Sequence, residues 1–286
     1  MTRRITACAA VIVALSGLGL AAQNPTFTTK IEAIRVDALV TDHNQPVRGL
    51  SAADFEILDN GVPQQVDLVS SEHIPVNVIL ALDMSDSVAG ERLDNLRDAG
   101  KAAIASLGAA DQTALVTFSH AVSLGAPLTH DAAAVRHALD EAVGAGQTSL
   151  VDGVFAAMMV GESDAGRALL IVFSDGLDTS SFLTADAVLD SARRADVVAY
   201  AVAVQSRAKL DFLRALTSLT GGRLMELEKT SDLASSFRAI VDEFRQRYLV
   251  SYTPHGVSKE GWHRLEVHVK RRGVKVTARP GYLAGG

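Results

Sequence analysis

The chain has 286 residues, of which 48% are hydrophobic and 21% are charged, and its formal net charge is −6. This composition is that of a globular protein with enough apolar material for a core. The acidic balance argues against nucleic acid or an anionic membrane surface as a partner. The only cysteine, Cys8, lies near the N-terminus, so the rest of the chain has no thiol for a disulfide, a cysteine-ligated zinc site or a cysteine nucleophile.

The first 22 residues are typical of a secretory signal peptide. Arg3 and Arg4 precede an uncharged apolar stretch over residues 7–20, and Ala21 and Ala22 offer small residues for cleavage. The stretch is short for a membrane span, although an uncleaved anchor is the alternative. Cleavage would remove two of the 27 basic residues and none of the 33 acidic ones, so the net charge would change from −6 to −8. We therefore expect a secreted or periplasmic protein without a membrane segment after cleavage.

Residues 23–73 have the pattern of a β segment. Residues 31–40 alternate apolar and polar side chains for most of their length, as a half-exposed strand does. A turn signal, Asp-Asn-Gly at 59–61, lies between two further strand patterns. Residues 55–59 and 65–69 flank that turn, and we expect them to pair as a β-hairpin.

Residues 74–247 alternate between apolar strands and amphipathic helices. Such alternation is typical of βαβ units, in which helices cover both faces of a mostly parallel sheet. The pattern therefore predicts an α/β fold with a doubly wound, Rossmann-like sheet. The predicted strands cover residues 76–82, 114–118, 168–173 and 197–204, and the predicted helices cover roughly 92–107, 132–143, 150–160, 184–194, 209–219 and 232–247.

Residues 248–286 return to strand patterns, at 248–252, 263–269 and 274–278, and the last two are separated by a loop of hairpin length. Neither this segment nor residues 23–73 is expected to bury a core alone. We therefore expect the N- and C-terminal segments to pair into a small β-sandwich-like domain, with the α/β domain of residues 74–247 inserted between them. Trp262 is expected to be buried between these β segments.

Polar residues follow the predicted strand 76–82 at the point where it ends. Asp83, Ser85 and Ser87 bring one carboxylate and two hydroxyls to that position. In open α/β sheets, ligands bind beyond the carboxyl ends of the strands. These side chains are hard oxygen donors, which suit Mg²⁺, Mn²⁺ or Ca²⁺ and not a soft metal.

Two further loops reach the same edge of the predicted sheet. Thr148 lies just before a predicted helix, and Asp175 follows the predicted strand 168–173. A divalent cation takes about six oxygen ligands, and Ser85, Ser87 and Thr148 could supply neutral hydroxyls. Asp83 and Asp175 could bind the ion directly or through water. Because few of these donors are charged, the remaining positive charge favours an acidic group from a partner as the last ligand.

This arrangement resembles the von Willebrand factor A (VWFA) domain between residues 75 and 247. The metal-ion-dependent adhesion site (MIDAS) of that family follows the pattern D-x-S-x-S, then T, then D, and the matching residues here are Asp83, Ser85, Ser87, Thr148 and Asp175. The resemblance implies a bound Mg²⁺, or Mn²⁺ or Ca²⁺, and a protein partner that supplies a Glu or Asp carboxylate. Asp152 matches the acidic residue that supports the site without touching the ion. Met84 and Asp86 alternate with the donors and are predicted to flank the rim, with packing beneath the loop as the alternative for Met84.

The flanking segments resemble a secreted bacterial "VWFA-related" group. The similar stretches are residues 36–42, 47–50, 54–61, 247–252 and 279–282. The resemblance then extends over nearly the whole chain after the signal peptide. This resemblance supports the predicted fold far more than it supports a particular function.

Three functions compete for this site. The first is an exported binding or adhesion protein, and the second is a metal-stabilised scaffold domain of an envelope complex in which the ion only ties loops together. The third is a Mg²⁺-dependent phosphatase-like hydrolase, which would use Asp83 as a nucleophile. A phosphatase of the haloacid dehalogenase type needs a second Asp two residues later as a general acid, and Ser85, whose hydroxyl has a high pKa, cannot serve. No Gly-x-Ser-x-Gly motif and no zinc spacing of histidines occurs, so we expect no catalysis.

Overall fold

The strands and helices of the chain follow its apolar pattern closely in the computed structural model, which describes residues 33–70, 74–164, 166–206 and 209–285. The predicted signal peptide, residues 1–22, lies outside the described residues. The strands are β1 (Ile34–Asp42), β2 (Gln45–Pro46), β3 (Phe55–Asp59), β4 (Val62–Gln64), β5 (Val66–Ser70), β6 (Val76–Asp83), β7 (Gln112–Phe118), β8 (Val122–Thr129), β9 (Arg167–Phe173), β10 (Val197–Val204), β11 (Leu224–Leu227), β12 (Tyr248–Tyr252), β13 (Gly261–Val269), β14 (Lys275–Thr277) and β15 (Gly281–Ala284). The helices are α1 (Glu91–Ala105), α2 (Ala132–Glu141), α3 (Leu150–Gly161), α4 (Ala185–Ala192), α5 (Asp211–Thr220) and α6 (Leu233–Arg245). None of the helices in these ranges is long and apolar enough to cross a membrane.

The central sheet has six strands in the order β11-β10-β9-β6-β7-β8. All neighbouring pairs are parallel except β7 with β8. Every residue of β6, β9 and β10 is buried, because helices cover both faces of the sheet. Helices α1, α2 and α6 pack on one face, and α3, α4 and α5 pack on the other. The prediction of a doubly wound, mostly parallel sheet is confirmed.

Two strands at the edges of this sheet were not predicted. Strand β8 contains Gly125 and Pro127, which weaken a strand pattern but are tolerated at an edge. Its pairing with β7 is irregular, with register shifts on either side of Leu115. Strand β11 has only four residues and lies at the opposite edge. Neither strand is buried on both faces, so neither needs a continuous apolar run.

The N- and C-terminal strands form two additional sheets, as predicted. In the first, β1 pairs with β12 and β14, and β12 pairs with β5. In the second, β13 pairs with β15 and β3, and β3 pairs with β4. The two sheets share a core that contains Val36, Ile57, Val250 and Tyr252. Strands from both ends of the chain are therefore hydrogen-bonded to each other.

The predicted strand pairings within these sheets are wrong in two places. The Asp-Asn-Gly turn does form a hairpin, but β3 pairs with β4, and the chain then crosses so that β5 pairs with β12 in the other sheet. The loop at 270–273 joins β13 to β14, which belong to different sheets. Trp262 is 40% exposed, and the guanidinium of Arg193 lies 5.7 Å from the centre of its ring. The prediction that Trp262 is buried is therefore wrong.

Two buried arginines connect the terminal sheets to the central sheet. Arg167 of β9 forms an ion pair with Asp37 of β1. Arg247, 1% exposed, donates to the Tyr200 hydroxyl at 2.9 Å and to the carbonyl oxygens of Gly221 at 2.7 Å and Asp37 at 3.2 Å. The Arg247 guanidinium is thus held by oxygen atoms of both the terminal sheets and the central α/β part.

Candidate metal centre

Asp83 is the last residue of β6, and its side chain is buried at the edge where the parallel strands end. Its Oδ1 accepts a hydrogen bond from the backbone N–H of Ser85 at 2.9 Å, and its Oδ2 accepts one from the Ser174 hydroxyl at 2.8 Å. Burial raises the pKa of Asp83, the hydrogen bonds from Ser85 and Ser174 oppose that rise, and the negative charge of Asp175 adds to it. A carboxylate in such a position is stabilised by a nearby cation.

The two predicted serine donors follow Asp83 in a short loop. Ser85 Oγ and Ser87 Oγ lie 3.0 Å apart, with Ser85 buried and Ser87 exposed. The loop is fastened to a second loop, because Asp86 Oδ1 accepts from the N–H of Gly146 at 2.8 Å and the Asp86 N–H donates to the Gly146 carbonyl at 3.0 Å. The serine hydroxyls therefore sit in a loop whose backbone is fixed, at a point that opens to solvent.

Thr148 lies two residues before α3 and is 6% exposed. Its N–H donates to Thr179 Oγ1 at 2.9 Å, and its carbonyl accepts from the N–H groups of Thr179 at 2.9 Å and Ser180 at 3.1 Å. These bonds engage the backbone of Thr148, whereas the predicted site needs its side-chain hydroxyl. Thr179 and Ser180, which bond the backbone of Thr148, lie in the loop after β9 that also carries Asp175.

Asp175 follows β9 and is half-buried. Its Oδ1 accepts from the N–H of Leu177 at 3.1 Å across a turn. Gly176 occupies that turn with φ +84°, a conformation that glycine adopts without strain. The structure thus brings the loops of Asp83, Thr148 and Asp175 to one edge of the sheet.

The structure also locates the three other residues that were predicted around the site. Met84 is 3% exposed and packs in the apolar core beneath the loop, so the rim position predicted for it is wrong and the alternative is the one observed. Both oxygens of Asp152 accept from backbone N–H groups, those of Phe182 and Leu183, each at 2.9 Å. Asp152 therefore supports the loop after β9 and bonds none of the predicted donors through these contacts. Asp86 is exposed at the surface of its loop.

Sequence reasoning missed two side chains that hold the donors in place. Ser174 links Asp83 of β6 to the end of β9, and Thr179 holds the backbone of Thr148. Ser174 precedes Asp175 directly, so its place at a strand end was the available signal. Thr179 belongs to a run of Asp, Thr and Ser residues, which favours hydrogen bonds to nearby backbone but does not identify the partner.

The available donors suit a hard divalent cation. Within the described ranges, no three or more His, Cys, Asp or Glu side chains cluster in a way that could hold a metal. A site of three hydroxyls and two carboxylates is thus the set to test, and oxygen donors of this kind suit Mg²⁺, Mn²⁺ or Ca²⁺. In the part of the chain that the structure describes, no ion pair includes Asp83 or Asp175. The residues present therefore fit a cation, which would supply the counter-charge that both carboxylates lack.

Solved structures of similar fold come from several sources. A von Willebrand factor type A protein from Catenulispora acidiphila has 14% identity, covers 91% of this chain and 76% of its own, and superposes with a TM-score of 0.56. Proximal thread matrix protein 1 of the mussel byssus, in a structure whose MIDAS motif is occupied by zinc, has 16% identity, covers 66% of this chain and 50% of its own, and has a TM-score of 0.56. BatB from Bacteroides thetaiotaomicron has 16% identity, and the match covers 59% of this chain and 96% of BatB with a TM-score of 0.50. At these identities the likeness shows the fold alone.

The family assignment comes from the sequence of the central part of the chain. A search of curated proteins gave no significant match. The family model for the von Willebrand factor type A domain matches residues 77–239, which is more than half of the chain and contains all five predicted donors. With the doubly wound sheet and the position of the donor loops at its edge, this match places the chain in the von Willebrand factor type A domain family.

Proposed function

We propose that this chain is an exported binding protein that uses a divalent cation to bind an acidic group of a protein partner. The observation that carries the proposal is the buried Asp83 carboxylate at the end of β6. Its two oxygens order Ser85 in its own loop and Ser174 at the end of β9, and no ion pair in the described ranges neutralises it. Mg²⁺ is the expected ion, with Mn²⁺ or Ca²⁺ as substitutes.

Each of the five donors has a defined part in this proposal. Ser85, Ser87 and Thr148 contribute neutral hydroxyl oxygens, while Asp83 and Asp175 contribute negative charge and hold the loops in place. When bound, the ion supplies a positive charge that a Glu or Asp carboxylate of the partner satisfies. Ser87 is exposed and Asp175 is half-buried, which supports access to the ion from solvent.

A purely structural role for the ion is less well supported. The loops that the ion would join are already connected by direct hydrogen bonds between Asp86 and Gly146, between Ser174 and Asp83, and between Thr148 and Thr179. An ion is therefore not needed to hold them together. A hydrolase is disfavoured as well, because both oxygens of Asp83 accept hydrogen bonds in the interior and Ser85 stands where the general acid would be.

The location and domain organisation are part of the same proposal. We infer that residues 1–22 are removed on export, so that the mature protein is secreted or periplasmic and has no membrane segment. We further infer that residues 23–73 and 248–286 act as one β domain around residues 74–247, and the pairing of β1 with β12 supports this division. N-terminal sequencing of the exported protein tests the cleavage point, and a start at residue 23 is the expected result.

Selection from a random peptide library tests the binding proposal and requires no candidate partner. Peptides displayed on phage are captured by the immobilised chain in Mg²⁺ and eluted with a chelator. We expect every enriched peptide to contain an Asp or Glu, and its replacement by Asn or Gln to abolish binding. Ser87→Ala, at an exposed position, should reduce capture, whereas Glu91→Gln, an exposed acid at the start of α1, should not. Chelator-eluted peptides that bind without an acidic residue would contradict the proposal.

A further inference from the structure

Large apolar side chains are exposed on two loops beside the candidate cation site. In the loop after β9, Leu177 is 53%, Phe182 is 96% and Leu183 is 38% exposed, and on the loop after α2 Val143 is 74% exposed. These are half of the eight large apolar side chains exposed in the described part of the chain. The other four are dispersed over β5, β8, α3 and β13, namely Leu68, Leu124, Met159 and Trp262. Exposed apolar surface beside a candidate binding site is typical of an interaction site.

Leu177 is hydrogen-bonded to a predicted donor, and the chain neighbours of Phe182 and Val143 contact the donor loops. The N–H of Leu177 donates to Asp175 Oδ1 at 3.1 Å, and the N–H of Ser180 donates to the carbonyl of Thr148 at 3.1 Å. Phe182 follows Ser180 by two residues, a span of about 7 Å in extended chain. On the other side, a Cβ on Gly144 would lie 3.5 Å from the carbonyl oxygen of Ser85. Val143 precedes that glycine, so both apolar loops border the cation site.

The backbone beneath Phe182 is held firmly although the ring is almost fully exposed. Asp152 accepts from the N–H groups of Phe182 and Leu183, each at 2.9 Å, and the N–H of Val151 in α3 donates to Ser181 Oγ at 3.1 Å. A side chain presented on a fixed backbone loses less conformational entropy when it is buried by a partner. Rigid aromatic residues are the type that contributes most to binding energy at interfaces.

A positive charge borders the cation site on a third side. Arg92 of α1 donates to the carbonyl of Ser87 at 3.3 Å and to the side chain of Gln205 at 3.2 Å. No ion pair in the described ranges includes Arg92. The guanidinium therefore favours a negative group beside Ser87, which is the place where the partner's carboxylate would approach the ion.

We propose that these residues form one docking surface for a peptide segment of a protein partner. The segment carries an acidic residue that binds at the cation beside Arg92, and an aromatic or large aliphatic residue a few positions away that packs on Phe182 and Leu177. This inference rests on the proposed function, because the cation places the acidic residue. It adds an apolar contact, which selects among the many acidic segments that a cation alone would accept.

The test uses the peptides selected with Mg²⁺ and compares the chain with Phe182→Ser. Enriched peptides should share an apolar residue near the acid, and Phe182→Ser should weaken their binding about tenfold or more while the binding stays sensitive to chelator. The matched control is Leu124→Ser, which removes an exposed apolar side chain from β8 and should leave binding unchanged. Replacing the apolar residue of the peptide by Ser should weaken binding to the wild type but add little to the loss in Phe182→Ser, because the two side chains act as a pair.

The outcomes separate this inference from the proposed function. Chelator-sensitive peptides that need an acid but show no apolar preference, or that bind Phe182→Ser with unchanged affinity, would overturn the inference and leave cation-mediated binding intact. Failure to enrich any chelator-sensitive peptide would overturn both. Self-association of the wild type that Phe182→Ser abolishes, without an apolar preference in the peptides, would assign the surface to a second copy of the chain and overturn the inference as well. A thermal unfolding curve that Phe182→Ser leaves unchanged establishes that the variant is folded.

Discussion

At the residue scale, Asp83 connects the strands to the candidate site. It ends a strand whose residues are all buried, and its carboxylate contacts both its own loop and Ser174 of the neighbouring strand end. The Ser174 hydroxyl, itself fully buried, is a neutral donor that leaves the negative charge of Asp83 unbalanced. The candidate site thus contains a fixed carboxylate whose charge no ion pair in the described part of the chain balances.

Replacing Ser174 by Ala removes the hydrogen bond to Asp83 Oδ2. We expect the free energy of unfolding of the metal-free chain to fall by about 1–3 kcal/mol, because a buried acceptor loses its partner. Urea unfolding in chelator measures this change. The control is Ser163→Ala, which removes an exposed hydroxyl that donates to the Val160 carbonyl and should cost no more than about 0.5 kcal/mol. Equal effects of the two substitutions would show that the Ser174 bond does not matter.

At this scale the sequence allowed us to predict that the loops of the five candidate donors meet at one edge of the sheet, whereas the contacts that support these residues were not predictable. Five oxygen-bearing residues in three loops could be recognised because strands made of apolar runs have visible ends. Met84 was placed wrongly because alternate residues of an extended segment point to opposite sides, so the residue between two donors faces the core. The partners of Asp152 lie 30 and 31 residues away, and no local pattern indicates such a pairing.

At the element scale, the loop after β9 has two functions in the proposed site. It carries Asp175, and its Thr179 holds the backbone of Thr148. It is in turn held by Asp152 from α3. Loop geometry is therefore set by a helix that packs on the sheet, and the same helix begins just after Thr148.

Asp152→Ala should release this loop without unfolding the chain. We expect amide hydrogen exchange at Phe182 and Leu183 to accelerate about tenfold or more, since each loses a hydrogen bond to a charged acceptor worth about 1.5–3 kcal/mol. Mass spectrometry of exchanged peptides detects the change. Asp186→Ala, an exposed acid in the first turn of α4, should leave the exchange of these amides unaltered. Slow exchange in Asp152→Ala would mean that other contacts hold the loop.

The contact between α6 and the start of β7 predicts a pH dependence of stability. Arg245 donates to Asp111 Oδ2 at 2.5 Å. Burial acts to raise the pKa of Asp111, but the hydrogen bonds from Arg245 and from the backbone N–H groups of Val76 and Gly108 lower it on balance. Because the folded pKa is below the unfolded value of 3.8, the stabilisation is complete above that value and is lost as the pH falls through the folded pKa.

Asp111→Asn tests this linkage. At neutral pH we expect the free energy of unfolding to fall by about 1–3 kcal/mol, and the difference from the wild type to shrink as the pH is lowered below the unfolded pKa. Urea unfolding over a series of pH values measures both effects. A difference that stays constant down to acidic pH would show that the carboxylate charge is not responsible.

At the scale of the whole molecule, buried arginines join the terminal sheets to the central sheet. Arg167 pairs with Asp37, and Arg247 contacts oxygen atoms on both sides of the junction. The pairing of the two chain ends was predictable because neither β segment can bury a core alone. The exact strand partners were not, because the crossing from β4 to β5 and the path from β13 to β14 depend on contacts between distant segments.

We expect the described part of the fold to unfold in one cooperative transition, because the buried arginines bond to residues of both the terminal sheets and the central α/β part. Arg247→Ala should lower the free energy of unfolding by about 3–5 kcal/mol, because it removes a large buried side chain and leaves buried oxygen acceptors without their donor. Arg238→Ala, an exposed arginine of α6, should change it by less than about 0.5 kcal/mol. Calorimetry would contradict this account if it resolved two transitions in the wild type.

The central claim is that Asp83 and its four companions bind a divalent cation, and isothermal titration tests it most directly. The metal-stripped chain, Asp83→Asn and the surface control Glu91→Gln are each titrated with Mg²⁺, Mn²⁺ and Ca²⁺. We predict one binding event per chain in the wild type and in Glu91→Gln, and its loss in Asp83→Asn, with circular dichroism establishing that all three are folded. A folded Asp83→Asn that binds the cation with wild-type affinity, or a folded wild type that binds none of the three ions, would contradict the claim.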